Sequence, residues 1–200
     1  MDLVLFEDAM KHACKITRII TAAQGHALLV GVGGMGKQSL SRLSAFICQY
    51  TNVGIVISSS YSQNDFKTDL QAMFMKTGCK DEGLMFLFTE GQIKTEGFLV
   101  FLNDLLSSGE IADLFVAEDV DAILNTVGPA AKSDGIPVTP TNVWNYFISR
   151  VKKNLHMALC MSPSDLFRSR ARKFPAIINC TVIDWFHPWP TDALLSVAAK

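Results

Sequence analysis

The chain has 200 residues, almost half of them apolar, and its 18 basic and 19 acidic side chains leave a net charge of −1. That size suits one α/β domain, or one large domain with part of a neighbour. The balanced charge argues against a nucleic-acid surface, and no apolar run approaches the ~18 residues of a membrane span.

Met1-Asp2-Leu3-Val4-Leu5-Phe6-Glu7-Asp8 carries acids where a signal peptide carries bases. Leu5 to Ile20 has the pattern of a helix, with Leu5, Ala9, Ile16, Ile19 and Ile20 near helical spacing. Gln24-Gly25 ends it, and Ala27 to Val30 is a first buried strand. A glycine-rich loop follows, then a helix opened by Lys37 whose apolar face is expected to carry Leu40, Leu43, Phe46 and Ile47. Val53 to Ile57 is the expected second strand. Asn64 is the expected cap of a helix with Phe66, Leu70, Met73 and Phe74 at i, i+4, i+7 and i+8.

Leu84 to Phe88 has no polar side chain, as suits a parallel strand covered on both faces. Thr89-Glu90-Gly91-Gln92 ends it. A helix with Phe98, Leu102 and Leu105 on one side then runs to Ser107-Ser108-Gly109. Glu110 to Pro140, broken by Gly128-Pro129, Gly135 and Pro137, predicts a short helix and a surface loop. Thr141 to Lys153 is a further helix, Met157 to Met161 a fourth strand and Ala176 to Val182 a fifth. Strands alternating with helices predict a three-layer α/β fold on a mainly parallel, five-stranded sheet. Residues 1–190 would form this domain, and residues 191–200 open a further helix that continues beyond the chain. The cysteines Cys14, Cys48, Cys79, Cys160 and Cys180 form no CxxC and are expected to be reduced, mostly buried thiols of an intracellular protein. His12, His26, His156 and His187 form no metal-spaced pair.

The chemistry concentrates in Leu28-Leu29-Val30-Gly31-Val32-Gly33-Gly34-Met35-Gly36-Lys37-Gln38-Ser39. Gly31 and Gly36-Lys37 have the spacing of a phosphate-binding P-loop. There, glycine N–H groups converge on phosphate oxygens and the lysine reaches the terminal phosphates. The loop leads into a helix N-terminus, which itself favours an anion. Gly31-x-Gly33-x-x-Gly36 also fits a dinucleotide fingerprint, but that needs an acid about 20 residues on. Ser58-Ser59-Ser60 stands there instead. Chance clustering of glycines is the other reading. Lys37 after Gly36, between a buried strand and a helix, favours the P-loop. Gln38 occupies the position where a Ser or Thr normally holds Mg²⁺, and the hydroxyl comes one residue late at Ser39.

Such a site also needs an acid at the end of a neighbouring strand. One register puts Thr89 in the metal-side position and Glu90 in that of the catalytic base. The other gives Glu90 the metal role and leaves Gly91 as base. Glu90 as a plain solvated strand-end carboxylate is the third possibility. Arg168-Ser169-Arg170-Ala171-Arg172-Lys173 is a basic run in which Arg168 and Arg172 share a helix face and Arg170 points elsewhere. It is either solvated surface or a source of arginine for a γ-phosphate. Ser162 ends the fourth strand and either presents a hydroxyl near that phosphate or makes a simple turn.

Several stretches resemble the fourth AAA+ module of dynein heavy chains. They are Leu3 to Met10, Gly31 to Ser39, Asn103-Asp104-Leu105-Leu106-Ser107-Ser108-Gly109-Glu110, Arg170 to Ala176 and Asn179 to Phe186. The axonemal branch is the nearer match because it is similar in having Thr89 before the acid. The resemblance implies a motor ring of six AAA+ modules in one polypeptide, driven mainly by the first, with the microtubule-binding stalk emerging beyond the fourth. It implies a regulatory site for ATP or ADP with a weak Mg²⁺ site at Gln38 and Thr89. By position Gly31, Gly33, Gly34, Gly36, Lys37, Gln38 and Ser39 resemble the Walker A loop, Thr89-Glu90 the Walker B end and Ser162 the sensor. Arg170 or Arg172 resembles the finger offered to a neighbouring module. Val4 and Leu5 would flank the adenine. Met35 replaces a small Ser of the family pattern and would crowd the phosphates, and the helical lid of the family is absent.

The implied partners are adjacent AAA+ modules and, indirectly, microtubules, with no nucleic acid and no membrane. The implied place is the cytoplasm, on the ciliary or flagellar axoneme. Hydrolysis by the chain alone would be weak or nil. A P-loop small-molecule kinase and a structural module without nucleotide are the competing readings.

Overall fold

A computed structural model describes residues 6–191 and Leu194. Val4 and Leu5 therefore lie outside the described residues, as does most of the helix expected after Thr191. Five strands form the sheet: β1 (Ala27–Val30), β2 (Thr51–Val53), β3 (Leu84–Thr89), β4 (Leu155–Met161) and β5 (Val182–Trp185). Their order is β2-β3-β4-β1-β5 and every pairing is parallel.

Side chains alternate across this sheet into two cores. Leu28, Val30, Phe86, Phe88, Met157 and Leu159 face one cluster. There they meet α3 (Gln63–Phe74), α4 (Gly97–Ser108), α5 (Ala117–Ser133) and α6 (Pro140–Asn154). Ala27, Leu29, Met85, Leu87 and Ala158 face the other, against α1 (Glu7–Thr21) and α2 (Lys37–Ile47). The result is the expected three-layer arrangement, and the central strands are apolar because both faces are covered. Among the described residues no helix is long and apolar enough to cross a membrane.

Several elements depart from expectation. The buried face of α2 is Leu40, Ser41, Ser44 and Ala45, while Phe46 is 80% exposed. Strand β2 is shorter and earlier than Val53 to Ile57, because it starts where Thr51 pairs with Leu84. Helix α3 is capped by Ser62 rather than Asn64, through a reciprocal box with Asp65. In place of a loop, α5 runs through Gly128-Pro129, with Ile123, Val127 and Ala131 buried along one stripe. Ala176–Asn179 forms a short helix, α8, whose first N–H donates to Asn103 Oδ1 at 3.1 Å. The fifth strand begins only at Val182. Of the five cysteines only Cys160 is buried; Cys14 is exposed and the other three are half-buried.

The end of the sheet remote from the P-loop holds two buried histidines. His26 Nδ1 accepts from Met157 N–H at 3.1 Å, and His156 Nδ1 lies 2.9 Å from Gly25 O. Burial, helped by the neighbouring His156, lowers the His26 pKa from 6.5 to about 4. The unfolded chain therefore binds the extra proton between those values, so stability is full above pH 6.5 and falls as the pH drops toward 4. At about 1.4 kcal/mol per pH unit the loss from His26 reaches about 3 kcal/mol. The thermal midpoint should fall steeply from pH 7 to 4.5. His26→Leu should start lower, having lost the bond to Met157, but show a flatter pH dependence. Equal slopes would rule out His26 as the titrating group.

Candidate nucleotide site

The P-loop leaves β1 at the C-terminal edge of the sheet. Gly31 N–H donates to Met161 O at 3.1 Å, which ties the start of the loop to β4. Gly34 and Gly36 have φ of 81° and 73°, in the left-handed region that a glycine enters without strain. No side chain caps α2 and its first turn holds no acid, so its free N–H groups face the loop's interior. A cavity of about 520 Å³ opens there, lined by residues 33–39 with Arg42, Thr89, Glu90, Gly91, Cys160 and Ser162. Glycines in φ-positive turns, uncapped helix donors and a lysine together fit a polyphosphate anion.

Lys37 is folded back onto its own loop. Its Nζ donates to Gly31 O at 2.5 Å and Val32 O at 2.7 Å. Burial lowers its pKa, and the nearby Cys160 and Glu90 oppose that shift. The Cys160 thiol is itself pushed up to about 12 by burial, which favours the protonated form.

Thr89 ends β3, and Glu90 opens the short turn Glu90–Gln92. The Thr89 N–H and hydroxyl both donate to Gln92 Oε1, at 2.8 and 3.1 Å, while Gln92 Nε2 donates to Ile55 O. Glu90 Oε2 accepts the Ser162 N–H at 2.9 Å. The strand-end acid and the end of the neighbouring β4 are thus joined at the cavity. For a divalent cation the donors are poorer. Gln38 offers an amide oxygen and Thr89 a hydroxyl already engaged, and neither carries charge.

The basic run lies on α7 (Asp165–Lys173) and the structure separates its members. Arg168 is exposed and pairs with Asp165 at 3.2 Å, and Arg172 is also exposed. Neither lines the cavity, so the two form no clamp over a transferred phosphoryl group. Arg170 is mostly buried, with Nη1 3.6 Å from Glu90 Oε1 of the same chain. Met35 is buried in the α1–α2 core while also forming part of the cavity wall.

Three contributors were not foreseen. Arg42 lines the cavity from α2, four residues after Gln38 and therefore on the same helix face. Cys160 contributes from β4. Trp189 stands 3.1 Å from where a Cβ on Gly36 would lie and packs edge-on against Phe6 at 4.6 Å. Those two rings, with His12, Leu40 and Trp185, line an adjoining cavity of about 180 Å³.

Comparison with known proteins agrees with this geometry. A family model described as the P-loop containing dynein motor region D4 matches residues 1–200. The chain is 58% identical over 201 residues to the dynein alpha chain of the flagellar outer arm of Chlamydomonas reinhardtii. It is 53% identical to the beta chain of the same arm, and 49% identical to human dynein axonemal heavy chain 17. Each match covers all of this chain and 4% of the relative's length.

Proposed function

The chain belongs to the family of P-loop containing dynein motor regions D4, and on that footing we propose that it is the ATP- or ADP-binding AAA+ large subdomain (residues 1–190) of an axonemal dynein heavy chain. Its nucleotide would regulate the motor rather than drive it. The observation that carries this reading is the convergence of Lys37, the Gly34–Gly36 turn, Glu90 and Ser162 on one open cavity at the edge of a parallel sheet. Phosphates would sit against the N–H groups of Gly33 to Ser39, with Lys37 turning from its loop carbonyls to the terminal phosphates. The base would lodge in the aromatic cavity beside Trp189 and Phe6. Glu90 is the candidate base toward water and Ser162 a contact near the γ-phosphate. Exposed Arg172 is the arginine free to reach a neighbouring module's nucleotide. Adjacent modules of the same polypeptide are the direct partners, and microtubules are reached only through the whole motor in the ciliary or flagellar axoneme.

Calorimetric titration with ATP and with ADP, each with and without Mg²⁺, tests the reading. Binding of both is expected, and absence of both would overturn it. Mg²⁺ bound here would be held chiefly by the nucleotide's own phosphates, with Gln38 and Thr89 as weak protein donors. It would neutralise charge on the phosphates. Mg²⁺ should therefore raise ATP affinity only slightly. Replacing Gln38 by Thr and Thr89 by Asp together supplies a hydroxyl and a carboxylate, and should enlarge the Mg²⁺ effect at least about tenfold, the worth of one charged contact. An unchanged Mg²⁺ response in the double variant would show that these two positions do not face the metal.

A further inference from the structure

Arg170 does not have the exposure of a residue held ready for a neighbouring subunit. Its side chain is only 13% exposed, against 78% for Arg168 two residues earlier on α7. Its Nη1 lies 3.6 Å from Glu90 Oε1, and the other Glu90 oxygen accepts the Ser162 N–H at 2.9 Å. Both oxygens of the candidate base are thus engaged by groups of the same chain. Arg170 Nε and Nη1 are buried and make no hydrogen bond among the described residues. Buried guanidinium donors left unspent are costly unless they serve a charge nearby. The charge at hand is Glu90, on the wall of the nucleotide cavity.

A lone carboxylate there would repel a γ-phosphate, and more strongly for being partly shielded from water. A guanidinium on the far side of the carboxylate cancels that field without entering the phosphate's space. We propose that Arg170 is a positioning residue of this chain's own nucleotide site, which neutralises and orients Glu90 so that a triphosphate is accepted beside it. The proposal rests on the nucleotide-binding reading above. It assigns Arg170 to the site within the chain and leaves Arg172 alone for a neighbour.

The consequence is selective. A diphosphate stops short of Glu90, so loss of Arg170 should weaken triphosphate binding and spare ADP. The test is calorimetry with ADP and with a non-hydrolysable ATP analogue. The proteins are the wild-type chain, Arg170→Met, Arg170→Lys, Glu90→Gln and the double variant Glu90→Gln/Arg170→Met. Arg170→Met should lower affinity for the analogue about tenfold, the size of one charge-assisted contact, and change that for ADP less than twofold. In the Glu90→Gln background the same replacement should have almost no effect, and Arg170→Lys should retain most of the selectivity. Equal loss for both nucleotides, no loss for either, or an undiminished loss in the Glu90→Gln background would each overturn the proposal. If Arg170→Met fails to fold, as circular dichroism would reveal, the neutral but polar Arg170→Gln with and without Glu90→Gln decides the matter. A shift in selectivity that Glu90→Gln abolishes supports the proposal, and one that persists overturns it. A wild-type chain that binds neither nucleotide would remove the underlying reading instead, which separates the two failures.

Discussion

Lys37→Ala is expected to weaken ATP binding by about 10- to 150-fold, corresponding to the 1.5–3 kcal/mol of a charge-assisted hydrogen bond. The ammonium is held by two carbonyls of its own loop, Gly31 O and Val32 O, and is half-buried at the mouth of α2. Arriving phosphates offer it charged acceptors in exchange for neutral ones, and that exchange is lost with the side chain. The effect should be larger for ATP than for AMP, since the lysine reaches terminal phosphates and not the α-phosphate. Stability without ligand should change little. Val32 is half exposed, so water can take over its carbonyl, and only that of buried Gly31 is left to bear a small cost. Titration of the variant and the wild type with ATP and with AMP measures the first two quantities, and thermal melts without ligand the third. Unchanged affinity for ATP would end the P-loop reading outright, whatever the likeness of the sequence.

How much of this was legible in advance follows from where each signal sits in the chain. The run Leu28 to Ser39 states its own structure. An apolar strand, four glycines and a lysine lie within twelve residues, and the turn they make is local. Strand β3 was equally plain, because a central strand covered on both faces needs apolar residues throughout. The edge strands β2 and β5 were misplaced, since the bounds of an edge strand are set by its single neighbour. Thr51 opposite Leu84 and Val182 opposite Ala27 are pairings with no local mark. The length of helix α5 was missed because Gly128-Pro129 reads as a break, and only a short helix was expected before it. The packing of Ile123, Val127 and Ala131 against the core outweighs the one hydrogen bond that proline cannot donate. In the site, Arg42 could have been found by stepping four residues from Gln38 along the helix. The pairing of Glu90 with Arg170 spans 80 positions and is created by the fold alone.

The second large effect concerns turnover. The 200-residue chain should release phosphate from ATP well below the typical enzyme range of about 1–10³ s⁻¹, even though it binds the nucleotide. Two deficits are built into its residues. Gln38 and the engaged hydroxyl of Thr89 would give a Mg²⁺ no charged donor at those two positions, so charge building on a γ-phosphate would be poorly neutralised. Glu90 Oε2 accepts the Ser162 N–H and Oε1 lies 3.6 Å from Arg170, an arrangement that steadies the carboxylate but engages one of the oxygens a water would use. A third lies outside the chain. Neither Arg168 nor Arg172 lines the cavity; Arg42 does, from α2, and a further arginine for the transferred phosphoryl is expected from a neighbouring module. Such an arginine is worth about 10³–10⁵ in rate, enough by itself to separate binding from turnover. Glu90 pulls the other way, since a carboxylate already at the cavity wall could serve as base once that charge is supplied. Steady-state phosphate release from the purified chain, beside a Glu90→Gln control, measures the balance. A rate within the typical range that Glu90→Gln abolishes would mean that the chain carries a complete catalytic site. The regulatory reading would then give way to that of a self-sufficient phosphoryl-transfer enzyme.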